Sequence, residues 1–273
     1  MESVSRNNTY AVVVWYHPQE EAAAFIRLYK KDVAGVIVVD NSETDNRHLL
    51  QCEEVVYLPQ GKNLGIGAAL NIGCREALQR GATWVLTMDQ DSQWNQHSVA
   101  QYMTEVNQYD GFAQVALFSP FHDCDGHPER HHLNGRFETR EVVMCSGNLL
   151  RLSSWKEVGG FNEDFFIDYV DDEMCHRLNA HHWQVVRANT ILLTHSLGNG
   201  VKYIGWRHHP YIPHPVWRYF YIARNIHRLM RMYPDAAPYY RSQRRKYLKR
   251  LWLYDWHDKW AKLREFRRGW REA

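Results

Sequence analysis

The chain has 273 residues, 45% hydrophobic and 23% charged, with a formal net charge of +2. That length buries a sizeable core, yet no window reaches the roughly 18 consecutive apolar residues of a membrane-spanning helix, and the opening Met-Glu-Ser-Val-Ser-Arg-Asn-Asn holds no apolar signal-peptide core. Five scattered cysteines without a Cys-x-x-Cys argue against a disulfide framework and a zinc ribbon, so a reducing, cytoplasmic setting is the expectation.

The first half alternates β-rich runs with helical stretches. Residues 10–16 (YAVVVWY) form a near-continuous apolar run, the pattern of a strand covered on both faces. His17-Pro18 breaks it, and residues 19–31 place Ala22, Phe25, Ile26 and Tyr29 at helical positions. Residues 36–40 (VIVVD) and 55–58 read as further strands, 64–80 as a helix closed by Gly81, and 83–88 (TWVLTM) as a fourth strand. This alternation predicts an α/β fold with a mostly parallel, Rossmann-like central sheet. Ligands of such sheets bind beyond the carboxyl ends of the strands. Three of those ends carry Tyr16-His17, Asp40-Asn41 and Asp89-Gln90-Asp91.

The second half is less regular. Residues 112–120 and 140–145 read as strands flanking a polar, His-rich connection at 122–139. A short helix is expected at 153–158, and a longer one at 168–181 with acids in its first turn, beside the positive end of the helix dipole. Residues 183–194 suggest one or two strands, 196–215 a loop, and about 216–233 an aromatic helix. Pro234 divides a body, 1–233, from a tail, 234–273. Charge follows that division: residues 240–273 hold 12 Lys/Arg against 4 Asp/Glu, and the remainder 21 against 27. In the tail Leu248, Trp252, Trp256, Trp260, Leu263 and Trp270 recur at helical spacing, with Phe266 nearby and basic residues between. The stripe suits either the headgroup region of an anionic bilayer or packing against protein. No fold-level nucleic-acid reader accompanies the charge.

Four groups of residues bear chemistry. Asp89-x-Asp91 at a strand end can hold a hard divalent cation whose diphosphate ligand fills the other positions; an acidic loop is the plain alternative. Asp168, Asp171, Asp172 and Glu173 crowd a helix start, which raises the pKa of at least one and makes a proton acceptor possible; a solvated helix start is the plain alternative, favoured for Asp172. Glu173 and Arg177 also form an i,i+4 pair. The glycine-rich run from Asn63 to Gly73 opens a helix and can admit a phosphate, though close packing explains its glycines equally well. Ser146-Gly147-Asn148 lacks the Gly-x-Ser-x-Gly elbow of a serine hydrolase.

Taken in order, VVVWYHP (12–18), VVDNS (38–42), NLGIGAALNIG (63–73), WVLTMDQDS (84–92), SGNLLR (146–151), VGGFNEDFFIDYVDDEMCHR (158–177), HSLG (195–198) and YIARN (221–225) resemble the family 2 glycosyltransferases of GT-A fold. The rhamnosyltransferase-like branch is the nearest. The resemblance implies a metal-dependent, inverting transfer from a nucleotide-diphosphate sugar, dTDP-L-rhamnose favoured, to a glycan or lipid-linked acceptor in bacterial surface polysaccharide assembly. It assigns the base and ribose to Tyr16 and Asp40, the ribose and metal to Asp89, and Mg²⁺ or Mn²⁺ to Asp91 and His195. Asn63, Gly67, Gly147, Asn148 and Arg177 complete the implied substrate-binding set. Asp171 matches the catalytic carboxylate. Val170 stands where many relatives have Glu, which leaves Asp172 as the alternative.

A UDP-hexose or galactofuranose donor is the second possibility within this class. A nucleotidyltransferase of similar fold needs a Gly-rich basic loop after the first strand, where this chain has Tyr16-His17-Pro18-Gln19. A sugar- or lipid-binding module without activity is a third reading, against which the Asp89, Asp91, Asp171 and His195 set weighs. A lipid-linked acceptor and the basic tail together imply a site on the inner face of the plasma membrane.

Overall fold

The computed structural model describes residues 3–50, 55–124, 127–128, 135–195, 202–204, 209–211, 214–253 and 255–273. Strands β1 (Thr9–Trp15), β2 (Gly35–Asp40), β3 (Val56–Pro59) and β4 (Trp84–Asp89) run parallel, in the spatial order β3-β2-β1-β4. The near-continuous apolar run of β1 is explained by its two covered faces. Ala11, Val13 and Trp15 pack with α1 (Glu21–Tyr29) and α3 (Val99–Val106), while Val12 packs with α2 (Ile66–Gln79) on the other side. Alternate residues of a strand point to opposite faces, so a strand between two helical layers is apolar at every position. Gly73 lets α2 settle on β1: a Cβ there would lie 2.2 Å from Val12 Cγ1.

Beyond β4 the sheet turns mixed. After the short β5 (Ser92–Gln93) come β6 (Val115–Cys124), β7 (His127–Pro128), β8 (Phe137–Thr139), β9 (Asn148–Arg151) and β10 (Gln184–His195). Strand β9 enters antiparallel between β4 and β6, and β10 lies parallel to β6. The long pairings are mostly parallel, as the alternation predicts. The expected strand at 140–145 is instead a loop, and the strand falls three residues later, at β9. In that loop the peptide groups are engaged elsewhere: Arg140 donates its amide to Val185 O, Asn179 Nδ2 donates to Glu141 O, and Asn148 Nδ2 donates to Met144 O. Helix α3 was not anticipated. Strand β10 is single, with a bulge between Ala188 and Leu192 that brings its end to β5, pairing Thr194 with Gln93 and His195 with Ser92.

Helices α4 (Leu152–Glu157) and α5 (Val170–Ala180) cover the α2 face, joined by α6 (Arg218–Met232), α7 (Ala237–Leu253) and α8 (Lys259–Arg271). A two-stranded ribbon, β11 (Lys202–Ile204) and β12 (His209–Tyr211), precedes α6. The tail set apart by its charge is joined to the body by packing. Tyr240, Leu251, Leu263 and Phe266 are buried in the core that α5 and α6 share. Gly269 permits backbone contact between α8 and α6, since a Cβ there would lie 2.0 Å from Phe220 O. A buried Lys262–Asp255 pair (2.6 Å), with the Tyr219 hydroxyl donating to the same carboxylate (2.8 Å), fixes the start of α8. The expected single stripe is therefore two helices with a non-helical stretch at 255–258, and its members divide: Leu263, Phe266 and Trp270 pack inward, whereas Trp252, Trp256 and Trp260 face out. Among the described residues no helix is long and apolar enough to cross a membrane.

Candidate active site

The ends of β1, β2 and β4 meet along one ridge, held by side-chain-to-backbone bonds. Gln90, between the two carboxylates of Asp89-x-Asp91, accepts from the Tyr16 amide at its Oε1 (2.8 Å) and donates from Nε2 to Tyr16 O (3.2 Å). The His17 amide donates to Ser42 Oγ (2.8 Å), which holds His17 at a left-handed φ of 46°. Tyr16 is thereby presented with 42% of its surface exposed, its ring 4.2 Å from that of His17. An aromatic face held open in this way can stack on a planar base.

Asp40 sits beneath the ridge and is fully buried. It accepts from the Ser42 amide (2.9 Å), Asn46 Nδ2 (2.8 Å) and the Tyr57 hydroxyl (2.6 Å). Burial alone would raise its pKa; the bonds from Ser42, Tyr57 and Asn46 outweigh it and hold the carboxyl below the usual range. Asp40 thus shapes the 41–46 loop from inside. Asn41 ties that loop to the start of α2, and Asn63 shapes the turn that leads into it. Asn41 Nδ2 donates to Gly65 O (3.0 Å), and Asn63 Oδ1 accepts from the Gly65 amide (2.9 Å). Gly65 and Gly67 mark close contact with the 162–166 segment: a Cβ at Gly67 would lie 3.0 Å from Asn162 O, and one at Gly65 2.7 Å from Phe166 O. Packing therefore accounts for Gly67, without a phosphate.

Asp89 and Asp91 stand half-buried at the end of β4. The turn rests on Ser146, whose Oγ accepts from the Asp89 amide (3.1 Å) and donates to Ser92 Oγ (2.7 Å). His122 Nε2 lies 2.7 Å from Ser146 O. Gly147 adopts φ 78° and donates its amide to Thr87 O; a Cβ there would strike Leu193 Cδ2 at 2.6 Å. Asn148 is buried beside it, with its Oδ1 lacking a partner among the described residues. The backbone of His195 is opposite Ser92, one residue beyond Asp91; its side chain lies outside the described residues. Among the described residues no group of three or more His, Cys, Asp or Glu side chains gathers on one point. The two carboxylates that the sequence assigns to a cation, Asp89 and Asp91, thus stand on one turn, with the backbone of His195 placed beside it by register. Hard carboxylate oxygens suit Mg²⁺ or Mn²⁺.

The second acidic cluster opens α5. Asp168 and Tyr169 both have left-handed φ, 64° and 63°, a conformation costing roughly 1–2 kcal/mol per non-glycine residue. Helix α6 holds it in place. Arg218 makes a two-pronged bond to Asp168 (2.9 and 2.8 Å), and buried Asn225 donates to both Ile167 O (2.9 Å) and Asp168 O (2.8 Å). The strained entry aims Asp171 and Asp172 at a cavity of about 230 Å³, lined also by His122, Arg140, Arg187 and Tyr239. Burial raises the pKa of Asp171, offset in part by amides of Asp172 and Cys145. Asp172 is raised to about 7 by burial and then by the charge of Asp171, with the Tyr240 hydroxyl pulling the other way. Arg177 faces away from this cavity, bonding Glu173 (2.8 Å) and Val158 O (2.8 Å). It braces α5 against the turn after α4 and offers no arm to a substrate here.

Three residues link the two acidic groups. Cys145 donates its amide to Asp171 and accepts at its carbonyl from Thr87 Oγ1 (2.6 Å), Ser146 carries the Asp89 turn, and Gly147 bonds the strand between. The sequence singles out neither Gln90 nor Tyr240, and it names Ser146 and Asp168 without these contacts.

Residues 21–159, just over half of the chain, match the family model described as Glycosyl transferase family 2. The chain is 29% identical over 242 residues to the dTDP-rhamnosyl transferase RfbF of Shigella flexneri, with 82% of this chain and 80% of that protein covered. Among solved structures it resembles GalNAc-T7 crystallised with UDP, GalNAc and Mn²⁺, at a TM-score of 0.54 and 9% identity, over 69% of this chain and 44% of that one. Staphylococcus aureus TarS aligns at a TM-score of 0.49 and 13% identity, over 82% and 40%. The chain spans less than half of either solved protein, and the likeness to GalNAc-T7 is one of fold alone.

Proposed function

Since the chain belongs to glycosyl transferase family 2, and so is an enzyme of nucleotide-sugar glycosyl transfer, we propose that it moves L-rhamnose from dTDP-L-rhamnose, with inversion, to a hydroxyl of a glycan or lipid-linked acceptor of a bacterial surface polysaccharide. The observation that carries this reading is the 145–147 segment, which braces a carboxylate pair suited to a cation on one side and a high-pKa carboxylate pair on the other. The 29% identity with a dTDP-rhamnosyl transferase supports the donor.

Tyr16 offers its ring to the base, and the loop shaped by Asp40 borders the ribose. Asp89 and Asp91, with His195, would hold Mg²⁺ or Mn²⁺, and such an ion would supply Lewis-acid neutralisation of the charge on the departing nucleoside diphosphate. The acceptor oxygen attacks the anomeric carbon as the bond to the diphosphate breaks, and its proton passes to a carboxylate oxygen of Asp171. A single displacement needs this one base and no enzyme nucleophile. Asn63, Gly67, Gly147, Asn148 and Arg177 act through the backbone that they brace.

The outward tryptophans support contact with an anionic bilayer. Trp252, Trp256 and Trp260 are 53, 71 and 72% exposed, and Lys259 Nζ lies 4.2, 4.6 and 5.7 Å from their ring centres. Beside them a groove of about 920 Å³ carries Arg244, Arg264, Arg267 and Arg271 over Leu248 and Leu263. Indole rings around a cation, next to arginines on an apolar floor, match the headgroup layer.

The donor is tested with purified protein and Mn²⁺ against dTDP-L-rhamnose, UDP-glucose, UDP-galactose and UDP-galactofuranose. Expected are a rise in melting temperature and release of dTDP from the first alone. Turnover of a UDP-sugar with none of dTDP-L-rhamnose overturns the donor assignment.

A further inference from the structure

A phenol from the C-terminal helices reaches the carboxylate pair. Tyr240 of α7 is fully buried and donates from its hydroxyl to Asp172 Oδ2 at 2.9 Å. The hydroxyl oxygen of Tyr240 also stands 2.7 Å from His176 Nε2. A phenol has one proton. With that proton directed at the carboxylate, the hydroxyl oxygen accepts from His176, which carries its own proton on Nε2. Burial lowers the His176 pKa and keeps the ring neutral, and its face lies on Tyr233 at 4.9 Å. The bonds therefore run in one direction, from His176 through Tyr240 to Asp172.

We propose that Tyr240 is a positioning residue of the transfer reaction: it anchors Asp172 on the α7 side, separates the two carboxyl groups, and sets the pH at which the pair can take the acceptor's proton. This rests on the reading of the pair as proton acceptor. The groups facing the chain of bonds are Asp168 and Asp171 from α5 and its entry, Arg140 and Arg187 across the cavity, and Glu141 near His176. Burial raises Tyr233, Cys145 and Cys175, which keeps them neutral. His122 lies on the same cavity, so the test compares variants.

The sign follows from the donor. A hydrogen bond to the ionised form lowers the pKa of the pair, and its loss raises it. In Tyr240→Phe the acid limb of kcat/KM is expected to move up by about half to one pH unit. Activity at the foot of the limb then falls about three- to tenfold, while activity on the alkaline plateau and the donor KM stay near wild type. His176→Gln, which keeps an N–H donor, should retain the wild-type limb, and His176→Leu should shift it in the direction of Tyr240→Phe; this pair serves if Tyr240→Phe does not fold. The carboxyl ¹³C resonance of Asp172 in labelled protein gives a readout without turnover, and its midpoint should rise in Tyr240→Phe. If neither midpoint nor limb moves, or activity falls equally at every pH, the role assigned to Tyr240 is wrong. If the ¹³C midpoint moves and the limb does not, the bond stands and the pair is not the proton acceptor.

Discussion

Asp171 and Asp172 are adjacent in sequence and differ in what surrounds them. Asp171 accepts from peptide amides and lines the cavity floor; Asp172 is engaged by a phenol. Asp171→Asn keeps the shape and removes the proposed proton acceptor, so kcat is expected to fall about 10²- to 10⁴-fold while nucleotide binding, read by calorimetry, stays within a factor of a few. Turnover near wild type with intact binding would move the base elsewhere. The sequence pointed to Asp171 through its place in a long matching stretch, but the distinct setting of Asp172 was not legible there, because Tyr240 lies 68 residues downstream. Gln90 stayed hidden for another reason. It reads as a filler between two carboxylates, and it works through backbone bonds that spacing does not reveal, as does Ser146, which the sequence weighs only as a nucleophile.

At the scale of the element, α2 and α6 are the instructive cases. The glycine run of α2 left phosphate binding and close packing equally open, and the contacts favour packing: Gly65 and Gly67 touch the 162–166 segment, and Gly73 touches β1. Gly73→Ala is expected to cost about 1–3 kcal/mol through overpacking against Val12, read as a melting point lower by several degrees, with the donor KM unchanged. A changed KM without a change in melting would restore the phosphate reading. Helix α6 was legible as aromatic and apolar on one side, yet its polar members do the positioning. Arg218 and Asn225 hold two left-handed residues that place α5. Helix α3 was legible and passed over: Ser98-x-x-Gln101 is a capping box, realised here, before apolar Val99, Tyr102, Met103 and Val106. The strand misread at 140–145 is β-branched by composition, but its peptide groups serve neighbouring loops and side chains.

For the molecule as a whole, composition placed the basic charge correctly and hid how the tail is shared between core and surface. Its inner residues complete the core over α5 and α6, and its outer tryptophans surround Lys259. Flotation with vesicles of phosphatidylglycerol and phosphatidylcholine should carry the protein upward. Vesicles of phosphatidylcholine alone should do so weakly, and Trp252→Ala/Trp256→Ala/Trp260→Ala in one chain should reduce binding at least tenfold without lowering the melting point. Equal and negligible flotation of all samples would end the bilayer assignment, and a concentration-dependent dimer lost in the triple variant would assign the patch to a second copy. The mostly parallel sheet and the meeting of its strand ends were readable from alternation alone. The closing of the far side by β9 and the bulged β10 was not, because it depends on pairings between distant segments.

The tripeptide at 145–147 has a bearing on how such an enzyme can diversify. Its peptide groups and one hydroxyl serve the turn that carries Asp89 and Asp91 and the helix that carries Asp171 at once. On the function proposed above, a lineage that remodels this tripeptide alters leaving-group handling and proton uptake in a single step, with little chance of improving one alone. New specificities are better won at Tyr16 and on the rim of the cavity, where a changed side chain alters what is recognised and leaves the shared brace untouched.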